Sequence, residues 1–535
     1  MKKNSDETAP HAADVVQEQR FPPVGRRGFL KGAAAIGAAG LGSSLIEARS
    51  ATAAPAGGHL KVGVGGGATT DTLDIGTTGG AQNQTMIESI RSKLVDQETN
   101  GDIVPDLATE WGSGNGGRRW TFKLRKGAEF HNGKTVTPQD VIDSINVHRG
   151  QDSKAAGASL MKVVSELKSD GNDIVFDLSE PAADFPYYLA QTIFSICPSK
   201  DGVLDQSGIG SGAFVLEKFT PGVVGMAKRN PNYFKAERIR IESFELLSVN
   251  DSTALTNSLL AGELHVIQPV DPKTSEVLAK TAGIKVLSVP GGSTITMPMH
   301  ADKEPFSNND FRLALKYAVN RAELRDKVFY GHASLANDHP VPTFDKFFNA
   351  DIPQRDYDPD KAKYHLAKSG FAGTKIQLHA ADAAFSGALD AALVFADSAK
   401  KAGIEVEPVR APNDGYWSNV WGKVPFSFCY WDARPTPDLI LSLAYICGAA
   451  WGDTNWCNER FTKLVAEARA ELDQQRRKEL YAEIQLILHD EGSTIVPLYQ
   501  NMVHGVAESV DTGGPVGGAK PLDNFQIFKK WAVAS

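Results

Sequence analysis

Residues 120–133 read WTFKLRKGAEFHNG, a stretch in which apolar and polar residues alternate ahead of a turn. Trp120 and Phe122 fall on the same side of this alternation, which predicts a β-strand with one buried face. Asn132 and Gly133 are residues that tight turns prefer, so the strand is expected to end before them. The stretch therefore predicts a half-buried strand packed on a core.

A helix start follows this turn. Thr137 is a typical N-cap, Pro138 suits the first helical position, and Asp140 completes a capping-box pattern. Apolar residues at helical spacing predict further helices after Asp310 and around Leu480. Further strands are predicted at residues 59–64, 243–249 and 294–300. Strands and helices interspersed in this way indicate a mixed α/β fold.

The composition is that of a folded globular protein, with 535 residues, of which 42% are hydrophobic and 22% charged. A chain of this length is expected to form several domains, because a single core stops growing beyond about 250 to 300 residues. The formal net charge is −8 at pH 7, so the broad basic field of nucleic-acid-binding and peripheral membrane proteins is missing. We therefore expect no nucleic acid as a partner.

The amino terminus resembles a twin-arginine export signal. Arg26 and Arg27 precede the uncharged residues 32–46, and residues 51–53 read ATA, which fits a cleavage site. The apolar segment is too short and too rich in Gly and Ala to be a membrane span of about 20 residues. A weakly apolar buried helix is the alternative. We predict that residues 1–53 are a signal peptide, removed on export, and that the mature protein is soluble in the periplasm.

Four cysteines are present, and outside the cytoplasm they are free to pair. Cys447 and Cys457 lie ten residues apart in a stretch rich in Gly, Asn and Trp, where a loop could join them. Cys197 and Cys429 lie in apolar runs and are expected to be buried thiols. Four cysteines allow three pairings, and Cys447 with Cys457 is the predicted one.

Cofactor motifs are weak in this sequence. The pattern Gly63-x-Gly65-x-x-Ala68 is close to a dinucleotide fingerprint, but a polar segment follows where the receiving helix should begin. The 12 histidines include no pair spaced H-x3-H, which argues against a direct metal site. We therefore expect no cofactor.

A series of short segments, in order along the chain, resembles the periplasmic solute-binding proteins of the peptide and nickel class. These receptors serve ATP-driven (ABC) importers. The segments are 104–108 (VPDLA), 120–127 (WTFKLRKG), 130–133 (FHNG), 210–214 (GSGAF), 229–234 (RNPNYF), 262–266 (GELHV), 305–306 (PF), 310–315 (DFRLAL), 320–321 (NR), 357–359 (YDP) and 495–499 (IVPLY). In the segment 262–266, His265 departs from the aspartate that is usual in the family. Each motif is weak alone, but together in order they indicate membership.

The resemblance implies an α/β, two-lobed periplasmic binding protein fold, type II of cluster C, with an extra domain on the first lobe. Domain I is expected to be discontinuous and to comprise residues 58–100, 212–294 and 500–535. Domain II, the extra domain, is expected at 101–211, and domain III, the second lobe, at 295–499. A ligand enclosed between the lobes would stabilise the closed state that the membrane permease detects.

Candidate ligand-binding residues are concentrated in the carboxy-terminal half, which is unusually rich in aromatic and polar residues. Apolar pockets with a few placed polar groups are the usual form of small-molecule sites. Packing in the core is the alternative role for about half of the tryptophans. The candidates here are Trp417, Tyr430, Trp431, Asp432, Asp438, Trp451 and Trp456.

Arg434 is a candidate because of the resemblance. In peptide-binding relatives, an aspartate shortly after the tryptophan that corresponds to Trp431 pairs with the amino terminus of the peptide. The matching position here is Arg434, whose guanidinium suits a carboxylate, phosphate or sulfonate. Asp432 or Asp438 could still hold an amine. The alternative for Arg434 is a structural ion pair with either aspartate.

The resemblance adds further positions. They are the loop Gly79, Gly80 and Ala81 after the first strand, Gln268 after residues 262–266, Met297 and His300 at the entry to the large domain, and Tyr499 at the return crossing.

The predicted function is capture of a small peptide or an amino-acid conjugate for import by an ABC transporter, with the protein acting as a monomer. The alternatives are a receptor for an opine-like acid, an oligosaccharide, or a metal chelate or haem. An exported hydrolase is a further alternative, but the sequence has neither a G-x-S-x-G elbow nor an H-E-x-x-H helix. We therefore predict that the protein is not an enzyme.

Overall fold

The computed structural model describes residues 57–77 and 79–533. The predicted signal peptide, residues 1–53, lies outside the described residues. The described chain folds as a mixed α/β protein around one large sheet, as predicted. None of its helices has both the length and the apolar character needed to cross a membrane.

The large sheet has nine strands. His59–Val64 pairs in parallel with Ser243–Ser248 and Val266–Gln268, and the other pairs are antiparallel. In spatial order the strands are Phe214–Thr220, Val224–Arg229, Ser243–Ser248, His59–Val64, Val266–Gln268, Thr494–Ala507, Ile284–Pro298 and Cys429–Trp431, with Ala333–Leu335 also paired to Thr494–Ala507.

Two long antiparallel strands, Ile284–Pro298 and Thr494–Ala507, carry the chain between the two main cores. We call them the crossing strands. Val286 and Val503 pack in the first lobe, whereas Ile295 and Leu498 belong to the core of the second. The pairing is irregular between Val289 and Ser293. A Cβ on Gly291 would lie 2.0 Å from the carbonyl oxygen of Gln500, so only glycine fits this close approach.

The first lobe has helices on both faces of the sheet. One core includes Met86, Phe244 and Phe528, and the opposite core includes Leu255 and Leu278. The helices that cover these faces are Ala81–Ile90, Pro521–Asn524 and Ile527–Lys530 on one side and Ser252–Leu260 and Pro272–Ala279 on the other. The strand pair Val510–Asp511 and Ala532–Val533 closes the carboxy-terminal segment onto this lobe.

The second lobe holds the largest core, which includes Phe311, Leu378 and Phe395. A separate cluster around Tyr481 packs its last helices together. The helices of the lobe are Asn309–Ala318, Arg321–Val328, Pro359–Ser369, Ala388–Lys401, Tyr416–Asn419, Pro437–Ala444, Glu459–Ala470 and Gln474–Glu491. A parallel strand pair, Lys375–Ala380 and Glu405–Arg410, completes it.

A third core lies under a four-stranded antiparallel sheet. The strands are, in order, Ala108–Gly114, Arg119–Leu124, Asp173–Leu178 and Val164–Asp170. The capping box is confirmed, because Thr137 and Asp140 satisfy each other's backbone N–H groups at the start of the helix Pro138–Asn146. The remaining short elements are the helices Ala158–Met161 and Phe185–Leu189, the 3-10 turns Asn115–Gly117, Thr192–Phe194 and Ala236–Arg238, and the strand pairs Val95–Gln97 with Ile103–Pro105 and Ser199–Lys200 with Val203–Leu204.

This third core contacts both lobes. Phe234 of the first lobe packs against it, and so do Leu439 and Leu472 of the second. The core itself begins at Leu94, ahead of the boundary predicted at residue 101. The division into domains I, II and III stays a prediction.

A buried ion pair joins the third core to the second lobe. Arg477 Nη2 lies 2.7 Å from Asp184 Oδ1, and both side chains are almost completely buried. The guanidinium also stacks on the ring of Phe347, with 4.9 Å between Cζ and the ring centroid. The carboxylate of Asp184 helps to raise the pKa of Arg477, which burial alone would lower.

The cysteines behave as predicted. Cys447 and Cys457 form a disulfide, with 4.5 Å between their Cα atoms. Cys197 and Cys429 are buried free thiols, and burial raises the pKa of each.

We predict that Arg477→Met destabilises the protein by about 3 to 5 kcal/mol, because it leaves the Asp184 carboxylate buried without a cation. Urea unfolding followed by circular dichroism measures the change. Arg476→Met is the matched control one residue earlier, since Arg476 and Glu479 form an exposed pair on the same helix. Equal losses in the two variants would contradict the prediction.

Candidate functional site

A cavity of about 70 Å³ lies beside the crossing strands, where the two lobes and the third core meet. It is lined by residues 97–101, Tyr187, Gly292, Thr294, residues 340–342 and 344–347, residues 431–437, Ile440, Ala519 and Asn524. Three of the predicted site residues, Trp431, Asp432 and Arg434, are among them. The cavity is the candidate ligand site.

Trp431 is held at the cavity by the sheet. The strand Cys429–Trp431 pairs with the crossing strand, and Trp431 faces Thr294 in the register. A Cβ on Gly292 would lie 2.7 Å from the Cβ of Ala433, so glycine lets the crossing strand approach the wall of the cavity. The indole is 6% exposed, which makes it a fixed wall rather than a mobile flap.

Arg434 is exposed at the cavity. Among the described residues, no carboxylate lies within 4.0 Å of its guanidinium, so an ion pair with Asp432 or Asp438 is not formed. Asp438 is buried instead and accepts hydrogen bonds from Arg469 Nε at 3.1 Å and from Ser442 Oγ at 2.9 Å. Arg434 is therefore available to an acidic group of a ligand.

Lys520 approaches the same wall from the first lobe. Its Nζ donates to the carbonyl oxygen of Ala433, 3.2 Å away. Burial lowers the pKa of Lys520, the nearby Asp432 raises it, and Arg434 lowers it. An anion bound beside Arg434 and Lys520 would relieve the repulsion between these two cations.

Asp345 supplies a carboxylate on another wall of the cavity. Its Oδ1 accepts a hydrogen bond from the backbone N–H of Phe347 at 2.8 Å. Burial raises the pKa of Asp345 to about 6, and Asp184 adds to the increase. The hydrogen bond from Phe347 and the charges of Lys346 and Arg477 act in the opposite direction.

Lys346 closes one side of the cavity. Its Nζ donates to Tyr187 Oη at 2.7 Å and to Gln474 Oε1 at 3.2 Å. Tyr187 belongs to the short helix next to the third core, so this contact bridges that core and the second lobe. The Lys346 ammonium is occupied by protein partners.

An aromatic cluster continues from the cavity along the surface of the second lobe. Trp431 contacts Trp421 and Trp451, with ring centroids 6.0 and 6.2 Å apart. Trp417 in turn contacts Trp421 and Tyr430, at 6.0 and 5.6 Å. Three members of this aromatic cluster are exposed: Trp417, Tyr430 and Trp451. They add a wide apolar face beside the cavity.

A buried carboxylate supports the aromatic cluster from below. Trp421 Nε1 donates to Asp453 Oδ2 at 3.0 Å. Burial raises the pKa of Asp453 to about 6, and the bond from Trp421 opposes that rise. No cation lies within 4.0 Å of Asp453 in the described part of the chain.

Several predicted residues do not line this cavity. Trp456 packs against Phe461 in the core cluster of the last helices. Tyr499 is buried, and its hydroxyl donates to the carbonyl oxygens of His339 and Val341 at 2.8 and 2.7 Å. Tyr499 thus fixes the loop that carries the cavity wall instead of facing a ligand.

The remaining predicted positions also lie elsewhere. Met297 is part of the core of the second lobe, and His300 is buried where the crossing strand ends. Gln268 is buried too, with Nε2 3.8 Å from the sulfur of Met502. Gly79, Gly80 and Ala81 form the start of a helix, where a Cβ on Gly80 would lie 2.1 Å from the carbonyl oxygen of Gly66. Their role in binding stays a prediction.

The sequence analysis missed Asp345, Lys520 and Tyr187. Asp345 lies in a proline-rich loop without the periodicity of a helix or a strand. Lys520 lies near the carboxy terminus in a segment that lacks such periodicity too. Only the long-range folding of the chain brings Asp345 and Tyr187 to the cavity and Lys520 to its Ala433 wall, so no local signal could identify them.

The cavity lies between two lobes, and two strands of the large sheet run from one lobe into the other. This arrangement is that of a two-lobed solute-binding protein. The profile of bacterial extracellular solute-binding proteins, family 5, matches residues 102–452. The chain belongs to this family.

Curated relatives are similar to this chain in sequence, and a solved structure is similar to it in fold. The dipeptide-binding protein of Pseudomonas aeruginosa is 28% identical over 483 residues, which covers 80% of this chain and 88% of the relative. Di/tripeptide-binding protein 3 of the same species is 28% identical over 475 residues, with 80% and 87% covered. The ABC transporter substrate binding protein CtaP from Listeria monocytogenes has the same fold, with a TM-score of 0.77, 20% identity, and 90% and 100% of the two chains covered.

These comparisons confirm the predicted family and the two-lobed fold. They also show that the chain is, by family, an extracellular solute-binding protein. Proteins of the family bind substrates for transport, and the lack of any enzymatic activity in this chain stays a prediction.

We predict that Trp421→Phe destabilises the protein by about 1 to 3 kcal/mol at pH 8, because it removes the donor to a buried carboxylate. The folded-state pKa of Asp453, about 6, lies above its ordinary value of 3.8. The Asp453 carboxyl is therefore protonated below pH 6 in the folded protein. The loss of stability caused by Trp421→Phe should accordingly become smaller as the pH falls to 5. Thermal unfolding at the two pH values measures this.

Trp417→Phe is the control for this variant, since Trp417 is 41% exposed at the edge of the same aromatic cluster. A loss for Trp421→Phe that is the same at pH 5 and pH 8 would contradict the role of the ionised Asp453.

Proposed function

We propose that the protein captures a small peptide or an amino-acid conjugate in the periplasm and delivers it to the permease of an ABC importer. Export by the twin-arginine route, removal of the signal peptide and action as a monomer are part of this proposal. The observation that carries it is a pair of cations at one wall: Arg434 of the second lobe lines the cavity, and Lys520 of the first lobe donates to the carbonyl oxygen of Ala433 in that wall.

The pair of cations suits an acidic group of the ligand. Arg434 offers a planar donor fork that matches a carboxylate, and Lys520 adds a second positive charge beside it. Lys520 comes from the first lobe and Arg434 from the second. An anion that contacts both would favour the closed arrangement over the open one, which is the differential affinity that closure requires.

The relatives support a peptide or a closely related ligand. Proteins that are 28% identical over most of their length are named for binding dipeptides and tripeptides. Arg434 stands where peptide-binding relatives carry an aspartate for the peptide amine, so the orientation of the ligand should differ from theirs. A peptide bound by its carboxylate at Arg434, or an opine-like conjugate with more than one acidic group, fits this charge.

The exposed faces of the aromatic cluster favour a second candidate, an oligosaccharide. Trp417 and Trp451 are 41% and 54% exposed, and broad indole faces stack well on sugar rings. The two candidates differ in charge. A neutral sugar, unlike an acidic ligand, would leave Arg434 and Lys520 without a partner.

Native mass spectrometry of residues 54–535, purified without refolding, tests the proposed function. We expect a discrete bound mass, released on denaturation, whose fragments identify a peptide or an acidic conjugate. A neutral oligosaccharide would replace the first candidate by the second. Reproducible turnover of generic peptide or ester substrates, abolished by mutation of one nucleophile, would contradict a purely binding role.

We predict that Arg434→Ala weakens binding of the co-purified ligand by about 1.5 to 3 kcal/mol, through loss of a charge-assisted hydrogen bond. Isothermal titration calorimetry measures the change. Arg434→Lys should recover part of the affinity, because it keeps the charge without the fork. Arg410→Ala is the control, since Arg410 is exposed on a strand of the second lobe away from the cavity. Unchanged affinity in Arg434→Ala would remove this residue from the site.

A further inference from the structure

Asp345 is the acidic side chain of the cavity that combines partial burial with the lack of a cation. Its carboxylate accepts one hydrogen bond, from the backbone of Phe347, and no Lys, Arg or His nitrogen of the described residues lies within 4.0 Å of it. The residue is half-buried and lines the cavity. One oxygen is therefore free to accept from a ligand.

The other acidic side chains at the cavity are placed differently. Glu98 pairs with Arg238 at 2.7 Å. Asp432 is exposed to solvent and lies near Lys520, whose pKa it raises. Lys346, the residue next to Asp345, directs its ammonium to Tyr187 and Gln474 instead. Of the acidic side chains that line the cavity, Asp345 is the one that combines partial burial with the absence of a cation among the described residues.

In the folded protein, the surroundings of Asp345 disfavour the ionised form of its carboxyl group. Burial raises the pKa of Asp345 to about 6, and the charge of Asp184 acts in the same direction. A buried carboxylate without a cation lowers the stability of a protein unless a partner arrives from outside. A ligand with a positive group would provide that partner.

We propose that Asp345 receives the ammonium group of the ligand while Arg434 binds its acidic group, so that the ligand is an amino-acid-derived zwitterion. This inference rests on the proposed function and specifies the class of substrate. It also assigns the amine to a residue outside the segment 431–438, whose Asp432 and Asp438 were the candidates from the sequence.

An ammonium group fits Asp345 better than a metal ion does. No group of three or more His, Cys, Asp or Glu side chains in the described chain could hold a metal. Asp345 offers one free oxygen, which satisfies one N–H of an ammonium group but is too few for Mg²⁺ or Ca²⁺.

The first test uses the protein without ligand. Asp345→Asn should raise the melting temperature at pH 8, because it removes an unpaired, partly buried charge, and should raise it less at pH 4.5, where Asp345 is protonated in the folded protein but still largely ionised in the unfolded chain. Asp432→Asn, the control at the exposed carboxylate, should change little at either pH. A lower melting temperature of Asp345→Asn at pH 8 would show that the carboxylate is already satisfied and would overturn the inference.

The second test uses three probes in isothermal titration calorimetry: alanyl-phenylalanine, its N-acetyl derivative and its amide. The wild-type protein should bind the free dipeptide at least tenfold more tightly than either blocked form. Asp345→Asn should lose the preference over the N-acetyl form and keep the preference over the amide. Loss of the amine preference in Asp432→Asn, and not in Asp345→Asn, would overturn the inference.

The pH dependence of dipeptide binding is a third readout. The charged groups that face Asp345 are Lys346 on its own loop, Asp184 beside the third core and Arg477 on the last long helix. Affinity of the wild-type protein should fall as the pH decreases from 7.5 to 5, because Asp345 becomes protonated. Affinity of Asp345→Asn should stay constant over this range. The same pH dependence in both would contradict the inference.

Failure of the proposed function has a different signature. If none of the three peptides binds, the peptide form of that function is wrong. Propylammonium chloride then tests whether Asp345 binds an ammonium group. Potassium chloride of equal ionic strength is the reference for the melting temperature. A rise in melting temperature with propylammonium at pH 8, present in the wild type and absent in Asp345→Asn, supports the ammonium site. Equal responses of the two proteins overturn it.

Discussion

The pairing of the two crossing strands is the constraint on which the rest of the structure depends. Ile284–Pro298 and Thr494–Ala507 are the strands of the large sheet that reach from one lobe core into the other. Their pairing joins the two lobes, and its longer interruption, at residues 289–293, lies between the parts of the strands that pack in each lobe. The cavity lies beside this interruption because the edge strand Cys429–Trp431 pairs with the crossing strand just beyond it. Backbone hydrogen bonds therefore position the site, and side chains determine its charge.

Two buried carboxylates of the framework are paired with arginines, whereas two charged groups at the cavity are not. Asp184 has Arg477, Asp438 has Arg469, and each pair belongs to the framework. Arg434 and Asp345 have no such partner within the described chain, and both line the cavity. A binding protein must leave part of its electrostatic stabilisation to be supplied by the ligand, so unmatched charges at a cavity between lobes are consistent with that role.

Local patterns of the sequence predicted the elements well. The strand at 59–64 and the capping box at Thr137 are where alternation and capping residues indicated them, because both depend on neighbours within a few residues. The site was predicted in part: Trp431, Asp432 and Arg434 are adjacent along the chain and reach the cavity together. Aromatic richness alone could not separate Trp456, which packs in the core, from Trp451, which is exposed. Asp345 and Lys520 depend on contacts between distant segments, and such contacts leave no mark in a local pattern.

The disulfide between Cys447 and Cys457 has a consequence for how the protein is made. It closes a short ring that contains Trp451 and Asp453, the two residues that extend and support the aromatic cluster. Synthesis in a reducing cytosol would leave this ring open while the three cores could still form, since their hydrophobic clusters do not include either cysteine. Protein made in this way would have its three cores folded but would differ in structure at the ligand site. The oxidation state of the preparation is therefore a variable of the binding measurement itself.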